Sequence, residues 1–242
     1  MITDTRFIVE ESPEVRKSGN SLADFPTSGL SDSLRQYIRG KSLYFACKRA
    51  FDISVSALVV LGILSWLTPV LAVLIKISSS GPVFFLQKRV GRFGRSFTCI
   101  KFRTMIVNPE ADRRRATEND GRITRIGKFL RKSNIDELPQ FFNVLMGHMS
   151  IVGPRPHMHA DCYYFSTLIP RYKFRTLVKP GITGLSQIKG YHGQMISKEC
   201  IFHRYQYDAY YVRHAGFWYD VRIVFTTAAQ RIAWLFSLSP EE

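Results

Sequence analysis

The hydropathy pattern of the chain is dominated by an apolar run from Ile53 to Ile75, which contains no charged residue. About 20 apolar residues are enough for a helix to cross the hydrocarbon core of a bilayer. A helix of this length on a soluble domain would carry a polar face, whereas this run carries only scattered serine, threonine and glycine. The pattern therefore predicts a membrane-embedded helix, which we place within residues 42–80.

Two features of the run bear on how it enters the membrane. Pro69 follows Thr68 inside it, and a proline within a helix removes a hydrogen bond and bends the helix. Basic residues flank the run on both sides, with Lys48 and Arg49 before it and Lys76 after it, and positive charge marks the cytoplasmic side. The two features together predict either a re-entrant hairpin that breaks at Thr68 and Pro69 or a kinked transmembrane helix. The sequence physics favours neither alternative.

The remaining pattern divides the chain into a leader and a second domain. Residues 1–41 mix both charges without periodicity, which is typical of a flexible leader. Residues 81–242 contain the periodic segments of the second domain. Alternation in 83–90 and 96–105 predicts a basic β-hairpin.

Helical periodicity predicts several further elements in this domain. A short helix is expected at 109–117, and two longer helices at 197–214 and 217–236. The last of these has an apolar stripe, tryptophans and arginine. It therefore suits either an interfacial position on the membrane or packing onto the soluble core.

Charge narrows the choice of partners. The formal net charge is +15, and the segment from Leu86 to Lys132 holds 14 basic and 4 acidic residues. Such an excess implies an anionic partner, and the apolar run makes an anionic lipid membrane the expected one, without nucleic acid. The four cysteines are far apart in the sequence, which is typical of free thiols in a reducing cytosol.

An acidic pair, Asp136 and Glu137, follows this basic segment directly. Because Pro139 is tolerated in the first turn of a helix, we expect a helix to begin between residues 136 and 138. Local pattern alone favours helix capping by Asp136, since acidic residues stabilise a helix N-terminus. The alternative is that the carboxylate remains ionised among cations, as a nucleophile or a metal ligand must.

Candidate phosphate-binding groups lie on both sides of the acidic pair. Arg155 stands between Pro154 and Pro156, which fix the backbone around a guanidinium suited to bidentate phosphate binding. Lys101, Arg103 and Arg131 are the other candidates. A carboxylate that attacks a diphosphate would need such cations, because each like-charge pair at about 4 Å costs about 4 kcal/mol at an effective dielectric of 20.

The order and spacing of these segments resemble the bacterial sugar transferases, which are monotopic phosphoglycosyl transferases. The matching segments are residues 48–52, 81–85, 101–105, 126–132, 136–140, 150–157, 179–184 and 207–211. The resemblance implies an α+β, mostly helical fold with a re-entrant membrane hairpin, a small β-hairpin and interfacial amphipathic helices. It also implies a location at the bacterial inner membrane, with the catalytic domain in the cytosol.

The resemblance further implies a mechanism. Asp136 would attack the β-phosphate of a UDP-sugar and release UMP, and polyprenyl phosphate would then take the sugar phosphate from the aspartyl intermediate. Mg²⁺ would assist, with Asp136 and Glu137 as its ligands. Where one subgroup of the family has a second histidine after the Gly-Pro-Arg-Pro-His segment, this chain has Asp161, so the sugar stays open.

Three interpretations follow from the sequence. The first is a transferase with UDP-glucose or UDP-galactose as donor. The second is the same chemistry with an N-acetyl- or diacetamido-sugar donor. The third is a non-catalytic, membrane-tethered basic module. Assembly as a homo-oligomer stays open.

Overall fold

The computed structural model describes residues 40–107, 120–191 and 197–236. The expected helix at 109–117 lies outside the described residues, and so does the leader except for Gly40 and Lys41. The residues from Leu43 onward belong to one compact unit. Its described part is mostly helical, with two small sheets, as the predicted fold class requires.

A single long helix carries the apolar run. It consists of α1 (Ser42–Val59), a π-helical turn (Val60–Leu64) and α2 (Ser65–Ser78), and it is long and apolar enough to cross a membrane. Pro69 lies inside α2, so the chain stays helical at Thr68 and Pro69, where the break was predicted.

The irregular turn lies one helical turn earlier than the predicted break. The backbone N–H of Ser65 donates to the Val60 carbonyl, five residues back, and the Ser65 hydroxyl donates to the Leu61 carbonyl over 2.6 Å. A proline at position 69 has no N–H for the Ser65 carbonyl. The π-helical turn therefore ends directly before Ser65, the residue whose carbonyl lacks its usual helical donor because position 69 is a proline.

One face of the N-terminal part of the long helix is buried in the unit. Lys48 was predicted to mark the membrane interface, but its Nζ lies 2.6 Å from Oδ2 of Asp220 and donates to the Val152 carbonyl over 2.9 Å. Tyr211 completes the cluster, because its hydroxyl donates to Oδ1 of Asp220 over 2.7 Å. The cation therefore fastens α1 to the last helix and to a strand.

Arg49 and Asp52 make further contacts between α1 and the unit. The Arg49 guanidinium donates to the Val144 and Leu145 carbonyls over 2.6 and 2.8 Å. One carboxylate oxygen of Asp52 accepts the Ser150 hydroxyl and the Ile151 N–H, both over 3.0 Å. The charged residues before the apolar run therefore hold the helix against the rest of the unit.

The predicted β-hairpin is confirmed. Strands β1 (Phe84–Val90) and β2 (Ser96–Phe102) pair antiparallel, with Phe85 opposite Lys101. Phe102 packs in an apolar cluster with Leu71 and Ile75 of α2. The hairpin therefore lies against the C-terminal half of the long helix.

A helix and a tight turn lead from the hairpin to the acidic pair. Helix α3 (Arg125–Ser133) begins at Thr124, whose side chain accepts the Gly127 N–H over 3.0 Å. Gly127 lies so close to the Thr104 carbonyl that a Cβ at this position would collide with it. Glycine therefore allows α3 to pack directly on the chain that follows the hairpin.

The start of the next helix differs from the prediction. Residues Ile135–Glu137 form a 3₁₀ turn, and α4 (Gln140–Leu145) begins only after Pro139, with no side-chain cap. Capping by Asp136, which the local pattern favoured, is therefore wrong.

The C-terminal half adds a second sheet, in which the sequence predicts the two short strands but not their pairing. Strands β3 (Ser150–Val152) and β4 (Gly181–Thr183) pair in parallel. The helical elements around them are α5 (His159–Leu168), a 3₁₀ segment (Tyr172–Leu177), α6 (Leu185–Ile188), α7 (Lys198–His214) and α8 (Phe217–Phe236). Helix α8 packs on both strands of this sheet and on α6.

We expect the Lys48→Ala change to destabilise the fold, because it leaves the Asp220 carboxylate buried without its cation. Removing one partner of a buried ion pair costs about 3–5 kcal/mol of unfolding free energy. Thermal unfolding of the purified protein in detergent micelles measures the loss. Lys88→Ala, at an exposed position on β1, is the matched control and should change stability by less than about 0.5 kcal/mol. Equal unfolding temperatures for the two variants would contradict the structural role of Lys48.

Candidate active site

The acidic pair lies on the 3₁₀ turn between α3 and α4. Asn134 ends α3 in the left-handed conformation, with φ of 56°, which asparagine tolerates better than most residues. Its carbonyl accepts the Glu137 N–H over 3.2 Å. The turn buries Asp136, which keeps 8% of its surface exposed, and leaves Glu137 partly buried.

Glu137 is held by two cations. The Arg155 guanidinium reaches both carboxylate oxygens, with 2.6 Å to Oε1 and 3.0 Å to Oε2, and Lys101 donates to Oε1 over 2.6 Å. Burial alone would raise the pKa of Glu137. The two cations, Arg155 foremost, outweigh burial and hold that pKa well below its usual range. Glu137 is therefore a fixed anion at the centre of the site.

Asp136 is in a different situation. Among the residues that the structure describes, none forms a hydrogen bond with its carboxylate oxygens. Burial raises the pKa of Asp136 to about 6; Lys101 opposes the rise and Glu137 adds to it. The carboxylate is thus mostly ionised at neutral pH, and its lone pairs are not engaged by donors.

Arg131 brings a third cation towards Asp136 from α3. Its Nε donates to the Thr104 hydroxyl over 2.8 Å, and its charge acts on Asp136. The terminal nitrogens of this guanidinium make no hydrogen bond within the described ranges. They are consequently available to an incoming phosphate.

Of the predicted phosphate-binding cations, the structure brings together Lys101, Arg131 and Arg155 but not Arg103. The Arg103 side chain is buried and donates to the carbonyls of Ile75, Ser79 and Ser80, at the end of the long helix. Arg103 therefore stabilises that helix end, where unpaired carbonyls favour a cation.

The two prolines beside Arg155 are buried, as their role in fixing the backbone requires. The Pro154 carbonyl accepts the Gly181 N–H over 3.0 Å, and the Pro156 carbonyl accepts Nη1 of Arg89 over 3.3 Å. The Arg155 backbone is thus held from both sides.

Comparison with known proteins shows the family of the chain. A family model described as bacterial sugar transferase matches residues 43–233. The chain belongs to the bacterial sugar transferase family. The chain is 46% identical over 233 residues to a UDP-glucose:undecaprenyl-phosphate glucose-1-phosphate transferase of Klebsiella pneumoniae, and the match covers 93% of the chain and 49% of the relative.

Two further relatives differ in length and in name. A UDP-N-acetylgalactosamine-undecaprenyl-phosphate N-acetylgalactosaminephosphotransferase of Aeromonas hydrophila is 44% identical, over 76% of the chain and 43% of the relative. The exopolysaccharide production protein PSS of Rhizobium leguminosarum bv. phaseoli is 42% identical, over 76% of the chain and 94% of the relative. The chain spans about half the length of the Klebsiella and Aeromonas proteins or less.

A buried polar network behind Arg155 was not predicted from the sequence. Nη2 of Arg175 donates to the Arg155 carbonyl over 2.6 Å. Asp208 holds Arg175 in place, because its Oδ2 accepts Nε of Arg175 over 2.9 Å, and its Oδ1 accepts the Ser186 hydroxyl over 2.8 Å. Asp208 lies in a segment that matches the family, but no local pattern indicates that its partner is Arg175.

His157 lies within the same network as a neutral side chain. Burial, together with the guanidinium groups of Arg175 and Arg204, holds the pKa of His157 well below its usual range. Its Nε2 lies 3.3 Å from Nη1 of Arg204, which can only donate. Its Nδ1 lies 2.6 Å from the Tyr172 hydroxyl and 3.4 Å from Nη1 of Arg175.

The donor set near the pair constrains how a magnesium ion could bind. Among the described residues there is no group of three or more acidic, histidine or cysteine side chains that could hold a metal. Mg²⁺ commonly takes only one or two carboxylates and completes its shell with water and substrate phosphates. Asp136 can supply such a ligand, whereas both oxygens of Glu137 already accept bonds from cations. The residues therefore fit an ion that is shared with a bound diphosphate.

We expect the Asp208→Asn change to slow the release of UMP from the UDP-sugar. Asp208 is not part of the acidic pair, but it holds Arg175, which in turn positions Arg155. Losing this buried carboxylate frees Arg175 to move, and a misplacement of about 1 Å in a catalytic group can cost about 10²-fold in rate. The rate of UMP release should fall by about that factor at a temperature where the variant remains folded by circular dichroism.

Glu199→Gln, at an exposed position on the same helix, is the control and should keep the original rate. A folded Asp208→Asn variant with unchanged turnover would show that the network does not position Arg155.

Proposed function

We propose that the chain transfers a hexose-1-phosphate from a UDP-sugar to polyprenyl phosphate through a covalent intermediate on Asp136. One observation carries this proposal: of two adjacent carboxylates, Glu137 is bound by two cations, while Asp136 makes no hydrogen bond with any described residue. Such an arrangement suits one nucleophile and one fixed anion, and not two equivalent metal ligands.

In the first step, an oxygen of Asp136 attacks the β-phosphorus of the UDP-sugar. The bond from that phosphorus to the bridging oxygen breaks, and UMP departs with this oxygen. The sugar phosphate remains on Asp136 as an acyl phosphate. Attack by an anion on an anion is opposed by charge repulsion, which nearby cations offset.

Lys101, Arg131 and Arg155 are the groups that provide this charge. Lys101 and Arg155 are anchored on Glu137, which orients them without using Asp136. Arg131 keeps its terminal nitrogens available for the transferred phosphate. Mg²⁺, when bound by Asp136 and the diphosphate, would supply further positive charge to the phosphate oxygens.

In the second step, a phosphate oxygen of the lipid acceptor attacks the same phosphorus. The bond between the phosphorus and Asp136 breaks, and the product is a polyprenyl-diphosphate sugar. The whole reaction breaks one phosphoanhydride bond and forms another, with an acyl phosphate as the intermediate. It therefore needs no ATP. The reaction would be a first membrane step in the synthesis of an exopolysaccharide or another glycoconjugate.

The names of the relatives guide the choice of donor. Two donors are named for the relatives described above, UDP-glucose and UDP-N-acetylgalactosamine. We propose UDP-glucose as the first donor to test, with UDP-galactose and the N-acetyl- and diacetamido-sugars as the alternatives. A panel of these nucleotide sugars, assayed for UMP release, ranks them directly.

We also propose that the long helix enters and leaves the membrane on the cytosolic side of the bacterial inner membrane. Arg49, near its start, and Ile75, near its end, both contact the same compact unit. These residues would be about 39 Å apart in a straight helix, and a single crossing would separate them by a hydrocarbon core of about 30 Å. Contacts from both ends to one unit support a re-entrant path.

Asp136→Asn should reduce UMP release by about 10³-fold or more, because the amide cannot form the acyl phosphate. The assay is single-turnover release of UMP from UDP-glucose without acceptor, with intact-protein mass spectrometry to detect the added hexose phosphate. Glu137→Gln should lower the rate but still give the adduct, since Asp136 is present. Undiminished UMP release by Asp136→Asn would overturn the mechanism and favour a non-catalytic, membrane-tethered module.

The re-entrant path predicts that both ends of the long helix are accessible from the cytosol only. In a background with the four native cysteines replaced by serine, the variants Lys41→Cys and Ser80→Cys are each treated with a membrane-impermeant maleimide. Both should react in inside-out vesicles and neither in intact spheroplasts. Labelling of Lys41→Cys from the periplasmic side would instead show that the helix crosses the membrane.

A further inference from the structure

Helix α8 exposes an apolar stripe that the packing of the unit does not explain. The stripe consists of Trp218, Phe225 and Ile232, whose side chains keep 80%, 70% and 53% of their surface exposed. A spacing of seven residues places the three on one face of the helix, over a length of about 21 Å. The opposite face buries Asp220 and Ile223 against the unit.

A side chain near the C-terminal end of α8 contacts the turn that carries the acidic pair. Arg231, the neighbour of Ile232, approaches the side chain of Asn134. With the amide oxygen of Asn134 turned towards the guanidinium, Nη1 and Nη2 donate to it over 2.5 and 2.9 Å. Asn134 begins the turn that carries Asp136. The exposed apolar surface and the candidate nucleophile are therefore connected through a cation.

We propose that the stripe and Arg231 bind the acceptor lipid, with the isoprenoid tail along the stripe and the phosphate at Arg231. The proposal rests on the proposed function and assigns the site of its second substrate. Contact with the stripe would remove apolar surface of the tail from water, which favours binding. The phosphate would meet the Arg231 guanidinium, which lies against Asn134 at the start of the turn that carries Asp136.

The chemistry of the stripe argues for the lipid and against the other substrate. A UDP-sugar is water-soluble and anionic along much of its length, so an apolar surface of about 21 Å offers it little. Polyprenyl phosphate has one anionic end and a long apolar tail, which matches the order of groups on α8. Its phosphate would arrive next to the acyl phosphate that it must attack.

The alternative explanation of the stripe is that it contacts the lipids of the bilayer in general and not the acceptor lipid in particular. In that case Trp218, Phe225 and Ile232 would anchor the protein, and Arg231 would act only as one more positive charge near anionic headgroups. General membrane binding predicts that substitutions of Arg231 and of Arg222, an exposed arginine on α8, have equal effects.

The two half-reactions of the covalent mechanism allow a selective test. Arg231→Gln should raise the KM for undecaprenyl phosphate about ten-fold, while single-turnover UMP release without acceptor changes less than about two-fold. Arg231→Lys should restore part of the affinity. Arg222→Gln is the matched control and should leave both quantities as they are in the parent protein.

The tail contact is tested by chain length. The double variant Phe225→Ser with Ile232→Ser should raise the KM for undecaprenyl phosphate but not for farnesyl phosphate, whose short tail reaches less of the stripe. Flotation with anionic vesicles checks that the double variant still binds membranes.

Equal KM changes for Arg231→Gln and Arg222→Gln would overturn the inference and support general membrane anchoring. A loss of acceptor-free UMP release that equals the loss of acceptor affinity would also overturn it. Failure of the proposed function has a different signature, because the parent protein would then release no UMP and form no adduct at Asp136.

Discussion

The ion pair of Glu137 with Arg155 and Lys101 is the interaction that gives the two adjacent carboxylates different properties. Without it, two carboxylates on one 3₁₀ turn would repel each other and share similar protonation behaviour. Because Arg155 and Lys101 bind Glu137, that group remains ionised and fixed. Asp136 keeps its oxygens available, and burial raises its pKa to about 6. The proposed division into one nucleophile and one organising anion depends on this asymmetry.

The long helix of residues 42–78 also influences the position of Arg155, although it does not contact the ion pair. Asp52 binds β3 at Ser150 and Ile151, and Lys48 binds its last carbonyl at Val152. Arg155 follows three residues later, so the strand that α1 holds also sets the position of the guanidinium. A long apolar helix is consequently part of the core that builds the site. Helix and catalytic residues would be expected to lose their order together when this contact is broken.

Much of the architecture could be predicted from periodicity, because periodicity reports local geometry. The apolar run, the β-hairpin and the two C-terminal helices were all visible in this way. The parallel pair of β3 and β4 was not, because each strand is three residues long and its partner lies about 30 residues away. The burial of Lys48 could not be predicted either, since a lysine before an apolar run has the same pattern whether it meets lipid headgroups or Asp220.

The contrast between Lys101 and Arg103 shows that local periodicity is also insufficient to predict the candidate site. Alternation places both residues on one face of a predicted strand, and both were expected to bind phosphate. Strand β2, however, ends at Phe102, so the side chain of Arg103 no longer follows the alternation. It turns to the unpaired carbonyls at the end of α2, which lie close because Phe102 packs on that helix. Tertiary packing sets the position at which the strand ends. That position therefore decides which of the two similar cations can contact the acidic pair.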